Sequence, residues 1–173
     1  MPRKFMEIYL VRHAVAEDRE EFALKNHDDS LRPLTVKGRK RLQKVAIRLR
    51  DLIDGVDLIV TSPYVRARQT AETLSQIFFE TKVVQASELV PHGPPQALIR
   101  WLKAHGRGLK SVMLVGHEPQ MSVFASYLLT GKTESVIEMK KSGVACFTLP
   151  DPEEMEMARA ELRWLVPPKI WTV

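Results

Sequence analysis

Residues 57–77 read DLIVTSPYVRARQTAETLSQI. The opening DLIVT is a short apolar run of strand formers, broken by Ser62 and Pro63. Beyond the break, Ala67, Ala71, Leu74 and Ile77 recur on one stripe at helical spacing. Strand, turn, helix is the simplest parse, and it leaves Arg66 just past the strand end.

Other strands are legible before and after it. FMEIYLVR, residues 5–12, predicts a strand that runs into Arg12 and His13, and residues 110–115 predict another that runs into Gly116, His117, Glu118 and Pro119, with a helix over 120–129. A short strand is expected over 82–85. Pro94 or Pro95 opens a helix that continues through His105 until Gly106 and Gly108 stop it. Thr35 is a suitable N-cap for a helix in which Leu42, Val45, Ala46, Leu49, Leu52 and Ile53 recur as far as Gly55. Residues 14–34 are charged and turn-prone, which predicts a long surface loop with room for a short helix. Residues 144–149 and 158–166, separated by DPEEMEM, predict a hairpin or paired edge strands. Alternating strands and helices predict an α/β three-layer sandwich, a mainly parallel central sheet with helices on both faces and catalytic groups at the C-terminal strand ends. Nothing marks a boundary within 1–173, so one domain is expected.

Composition narrows the function classes. At 173 residues and 45% hydrophobic the chain can bury its own core. It has no apolar run of the roughly 20 residues that span a bilayer, and MPRKFMEIYLVRH lacks a long apolar segment with a cleavage site, so a cytoplasmic protein with no membrane partner is expected. Cys146 is the only cysteine and reads as a small buried hydrophobe. The net charge of +5 favours anionic partners, but the basic residues are scattered among acids and form no nucleic-acid-binding pattern.

Three strand ends deliver ionisable groups: Arg12 with His13, Arg66, and His117. In a parallel sheet such ends lie along one edge and can line one cleft. Two arginines and two histidines there predict an anion pocket, because the guanidinium fork suits phosphate oxygens and imidazole is a nucleophile or acid near neutral pH.

LVRHA, TSPYVRARQTAETL and GHEP, in this order, resemble the motifs of the histidine phosphatase superfamily, also called the phosphoglycerate mutase-like fold. RPLTVKG at 32–38 and ELVPHG at 88–93 resemble its small SixA branch more than its mutases. The resemblance covers residues 6–149, and the closing WLVPP also fits. One departure is Ala14, where the superfamily usually has glycine.

The resemblance implies that His13 attacks phosphorus to give a phosphohistidine enzyme that water hydrolyses. It further implies that Arg12 and Arg66 clamp the phosphoryl oxygens and that His117 donates a hydrogen bond to one of them. A bond from the other ring nitrogen of His13 to a backbone carbonyl would fix its tautomer. Glu88 is the candidate general acid, against an ordinary exposed glutamate, with His92 as a rival. Arg32 either recognises substrate or pairs with Asp28 or Asp29. Arg68 is assigned to solvent or a salt bridge. No metal-ligand spacing or nucleotide-binding glycine pattern appears, and no cofactor is expected. The implied function is a phosphohistidine phosphatase acting on a phosphorylated protein and releasing inorganic phosphate. A phosphatase for small phosphate esters or polyphosphate would share the same residues, and a silent phosphate-binding protein would be expected to have lost some of them.

Overall fold

A computed structural model describes residues 5–150 and 160–171. The elements follow in the order β1 (Phe5–Arg12), α1 (Arg19–Ala23), α2 (Val36–Leu52), β2 (Leu58–Thr61), α3 (Val65–Ile77), β3 (Val83–Gln85), α4 (Pro95–His105), β4 (Ser111–Gly116), α5 (Gln120–Thr130), β5 (Val144–Pro150), β6 (Glu161–Val166) and α6 (Pro168–Trp171). Each strand and long helix expected from periodicity is present. The stretch DPEEMEM, expected to join the last two strands, lies outside the described residues.

The sheet has six strands in the order β3-β2-β4-β1-β5-β6. It is mixed, which corrects the expectation of a mainly parallel sheet. β3, β2, β4 and β1 pair in parallel, whereas β5 runs antiparallel to β1 and β6 antiparallel to β5. The reason lies at the start of β5. The chain returning from α5 meets the sheet beside the C-terminal end of β1, where Arg12 N donates to Gly143 O at 3.2 Å and Val11 pairs with Val144. A strand that enters at that end runs back against its neighbour.

Alternate residues of β1 enter two cores, as the two-residue period of a strand requires. Met6, Ile8 and Leu10 pack with Leu98 and Leu102 of α4 and Met121, Phe124 and Leu128 of α5. Tyr9 and Val11 pack with Val45, Ala46 and Leu49 of α2 and Ala67, Ala71 and Leu74 of α3. Fully burying one such leucine contributes about 1.5–3 kcal/mol, so each helix is held by its stripe. Both faces of β1 are covered, which is why its sequence is nearly continuously apolar.

Two details frame the loop between β1 and α2. Thr35 Oγ1 accepts from Gly38 N at 2.9 Å and caps α2 as expected. Gly38 allows the helix to approach that loop, since a Cβ there would lie 2.1 Å from Val15 O. No helix among the described residues is long and apolar enough to cross a membrane.

Candidate active site

The parallel ladder continues one step past the strands and sets the site. β1 and β4 end in register at Arg12 and Gly116, after which His13 N donates to Gly116 O at 2.9 Å. On the other side of β4, Ser62 N donates to Val115 O at 3.0 Å. His13, Ser62 and His117 are thereby carried to neighbouring places on one edge. α3 starts only three residues after Ser62 and turns Arg66 back toward that edge.

The groups expected to converge do so. A cavity of about 490 Å³ is lined by Arg12, His13, Arg66 and His117, with Arg32, Arg19, Lys141 and Glu118 also on its walls. His13 Nδ1 lies 2.7 Å from Ala14 O, and Arg66 Nε donates to His13 Nε2 at 3.3 Å. A carbonyl only accepts, so Nδ1 carries the proton and Nε2 presents its lone pair. Burial, followed by electrostatic coupling to His117, Arg66 and Arg12, holds the His13 pKa well below its ordinary value, and the bond to Ala14 opposes this only in part. The imidazole is neutral at physiological pH.

His117 is 1% exposed, and its ring centroid is 5.1 Å from that of His13. Its Nε2 lies 2.8 Å from Ser62 Oγ, which also accepts from Tyr64 N at 3.3 Å. With the serine proton directed at Nε2, Nδ1 is the protonated nitrogen. Nδ1 is buried and has no partner among the described residues. Burial, then the Arg66 charge, pushes the His117 pKa down to about 3, so this ring donates as neutral imidazole.

Arg12 Nη1 donates to Met139 O at 2.7 Å, while its buried Nε has no partner among the described residues. Arg66 is 1% exposed, and its guanidinium carbon lies 5.0 Å from the Tyr64 ring centroid. Two unpartnered buried N–H groups beside a cationic arginine suit the oxygens of an anion.

The secondary candidates separate. Glu88 sits on a short 3-10 turn, Ser87–Leu89, and its side chain is not on the cavity wall. Its main-chain carbonyl accepts from Gln120 Nε2 instead. His92 is exposed and also off the wall. Glu118 does line the cavity, with Oε1 accepting from Ser122 N at 3.1 Å and Oε2 from Ser122 Oγ. Burial raises its pKa against the opposing pull of Ser122 and Arg12. Arg32 lines the cavity but is tied to Asp29 Oδ1 at 2.8 Å and Glu17 O at 2.8 Å. Arg68 is off the wall. Ala14 is fully buried and is not among the residues with positive φ, so the backbone here does not require glycine. Among the described residues no group of three His, Cys, Asp or Glu side chains could hold a metal ion.

Residues 8–89 match the model of the histidine phosphatase superfamily, branch 1. An uncharacterised protein of Picosynechococcus is 36% identical over 140 residues, 80% of this chain and 82% of that one. A phosphohistidine phosphatase SixA homolog of Haemophilus influenzae is 33% identical over 123 residues, 66% of this chain and 71% of that protein. The chain belongs to the histidine phosphatase superfamily. Among solved structures, that of the protein histidine phosphatase SixA complexed with tungstate superposes with a TM-score of 0.80 at 25% identity, covering 95% of this chain and 99% of the other. These likenesses make the chain a SixA-type histidine phosphatase by sequence and by fold.

Sequence reasoning about this histidine phosphatase missed three groups. Ser62 stands inside the quoted TSPYVRARQTAETL motif and could have been singled out as a partner for His117. Glu118 adjoins His117 but carries no spacing signal of its own. Asp29 was legible only as a possible partner of Arg32, not of Arg66.

Proposed function

We propose that this chain removes phosphate from phosphohistidine on a protein, through a covalent intermediate on His13 and without a metal ion. The observation that carries the reading is the state of His13: Nδ1 is held by Ala14 O, and Nε2 faces the cavity edge beside Arg66 as a neutral nucleophile. Nε2 bonds to phosphorus as the bond from phosphorus to the substrate imidazole breaks, and the departing nitrogen takes a proton. Water then attacks the phosphoenzyme, releasing inorganic phosphate and restoring the Nε2 lone pair. Arg12, Arg66 and His117 Nδ1–H stabilise charge spread over the phosphoryl oxygens. These donors and cations come from the chain, which is the basis for a metal-independent reaction.

Glu118 takes the proton-donor role that Glu88 was expected to fill, because it lines the cavity and burial favours its protonated form. A protein substrate is favoured by the short connections after β2 and β4, residues 62–64 and 117–119, which are too short to form a cap; the longer segment between β1 and α2 brings Arg19 and Arg32 to the cavity wall.

The test is turnover of a phosphohistidine-bearing protein, aryl and alkyl phosphate esters and polyphosphate, all in excess chelator. The highest kcat/KM is expected on the phosphoprotein, with an acid-labile, base-stable phosphoenzyme trapped by rapid quench. A higher kcat/KM on a small ester would move the assignment to that substrate class. Activity lost to chelator and restored by a divalent ion would overturn metal independence.

A further inference from the structure

Asp29 lies where three guanidinium groups meet. Its carboxylate Oδ2 accepts from Arg66 Nη2 at 2.9 Å, and its main-chain carbonyl accepts from Arg66 Nη1 at 2.7 Å. Oδ1 accepts from Arg32 Nε at 2.8 Å and lies 3.6 Å from Arg19 Nε. Arg32 is anchored in turn by Glu17 O. The chain between β1 and α2 thus delivers one acid to both terminal nitrogens of the arginine that faces His13.

A guanidinium is planar and carries five N–H groups. Asp29 engages one hydrogen on each terminal nitrogen, which fixes the plane of Arg66 at its far end, while Nε is held toward His13 Nε2 at 3.3 Å. One hydrogen on each terminal nitrogen remains for a phosphoryl oxygen. The carboxylate also separates three like charges that would otherwise repel at short range. Its negative charge has a second effect of opposite sign, because it disfavours a bound phosphate dianion. Orientation acts on the transition state, whereas the charge acts on ground-state binding, so the two effects fall on different kinetic constants.

We propose that Asp29 is a positioning residue for phosphoryl transfer, holding Arg66 in the orientation that serves attack by His13 while weakening the binding of free phosphate. The proposal rests on His13 being the nucleophile.

The experiment measures kcat and KM on an aryl phosphate, the inhibition constant of inorganic phosphate, and the thermal midpoint for parent, Asp29→Ala, Asp29→Asn and His13→Ala. In Asp29→Ala, kcat is expected to fall by about a hundredfold, the loss that a misplacement of about 1 Å produces. Phosphate should bind that variant at least as tightly as it binds the parent. Asp29→Asn keeps one acceptor oxygen and should fall between the two. Parent-like kcat with a lowered thermal midpoint would reduce Asp29 to a loop tether. A rise in kcat with tighter phosphate binding would make it a plug, and phosphate affinity falling in step with kcat would make it part of the binding surface; each of these overturns the positioning role. Turnover by His13→Ala at the parental rate would instead defeat the nucleophile assignment itself. A dead His13→Ala beside a parent-like Asp29→Ala would defeat only the role of Asp29.

Discussion

The two ends of the sheet each carry a cavity, and the larger one is not the candidate site. At the N-terminal ends of β1 and β4, a groove of about 1140 Å³ is lined by Phe5, Glu7, Tyr9, Phe79, Cys146 and Trp164, among others. At the C-terminal ends, the cavity of about 490 Å³ holds His13, His117, Arg12 and Arg66. Burial acts at both places and pushes their groups in opposite chemical directions. In the groove it raises the Cys146 thiol to about 12 and lifts the Tyr9 hydroxyl, which also donates to Glu7, so both stay protonated and unreactive. In the cavity it lowers both histidines, which keeps both rings neutral. Desolvation disfavours whichever form is charged, so it keeps a thiol or phenol from becoming an anionic nucleophile and keeps an imidazole neutral. Volume does not distinguish the two regions, but residue type does.

The sharpest way to break this contrast is to remove one buried group from each end. His13→Ala should abolish turnover, by an amount on the order of 10⁶-fold as for other enzyme nucleophiles, and should leave no trapped phosphoenzyme. Cys146→Ala should leave turnover within about twofold, or about 0.4 kcal/mol. Comparable losses in the two variants would erase the distinction.

Arg66→Lys should have the next greatest effect. A point-charge ammonium cannot hold His13, Asp29 and phosphate with one planar fork. Loss of such a transition-state contact costs about 2.7–4 kcal/mol, roughly a hundred- to a thousandfold in kcat. A lysine variant within about threefold of the parent would place Arg66 outside the reaction.

Two glutamates sharpen the boundary of the site. Glu118→Gln should slow an alkyl phosphate by about a hundredfold or more, because its leaving group needs a proton, and should barely affect a nitrophenyl ester. Glu88→Gln should leave both unchanged within about twofold, or about 0.4 kcal/mol. The reverse pattern, read from turnover of both esters by both variants, would return the acid to Glu88.

A separate readout is stability against pH. The folded His117 pKa, at about 3, lies below the ordinary value of 6.5. The unfolded chain therefore binds the proton first on acidification. The stability contribution is complete above pH 6.5 and is lost as the pH falls toward 3, with a slope of up to about 1.4 kcal/mol per pH unit for one group. Urea midpoints between pH 7 and 4 should fall less steeply for His117→Gln than for the parent. Identical slopes would mean that His117 is not held neutral. Cys146 adds nothing over this range, since its titration lies far above it.

What the sequence determined by itself is local or repeated. The short runs of strand formers placed the strands, the helical stripes placed α2 and α3, proline and glycine bounded α4, Thr35 announced its cap, and the ends of β1, β2 and β4 announced Arg12, His13, Arg66 and His117. A strand's side-chain period and a cap's hydrogen bond depend on neighbours only a few residues away, so both can be read along the chain. Only the tertiary structure decided the direction of β5, because that depends on where the chain from α5 rejoins the sheet, beside Arg12. The same holds for the position of Glu118, and not Glu88, on the cavity wall and for the contact of Asp29 with Arg66 across 37 positions. Hydrogen bonds between such distant residues leave no periodic trace, since they are set by the meeting of separately folded segments rather than by spacing within one.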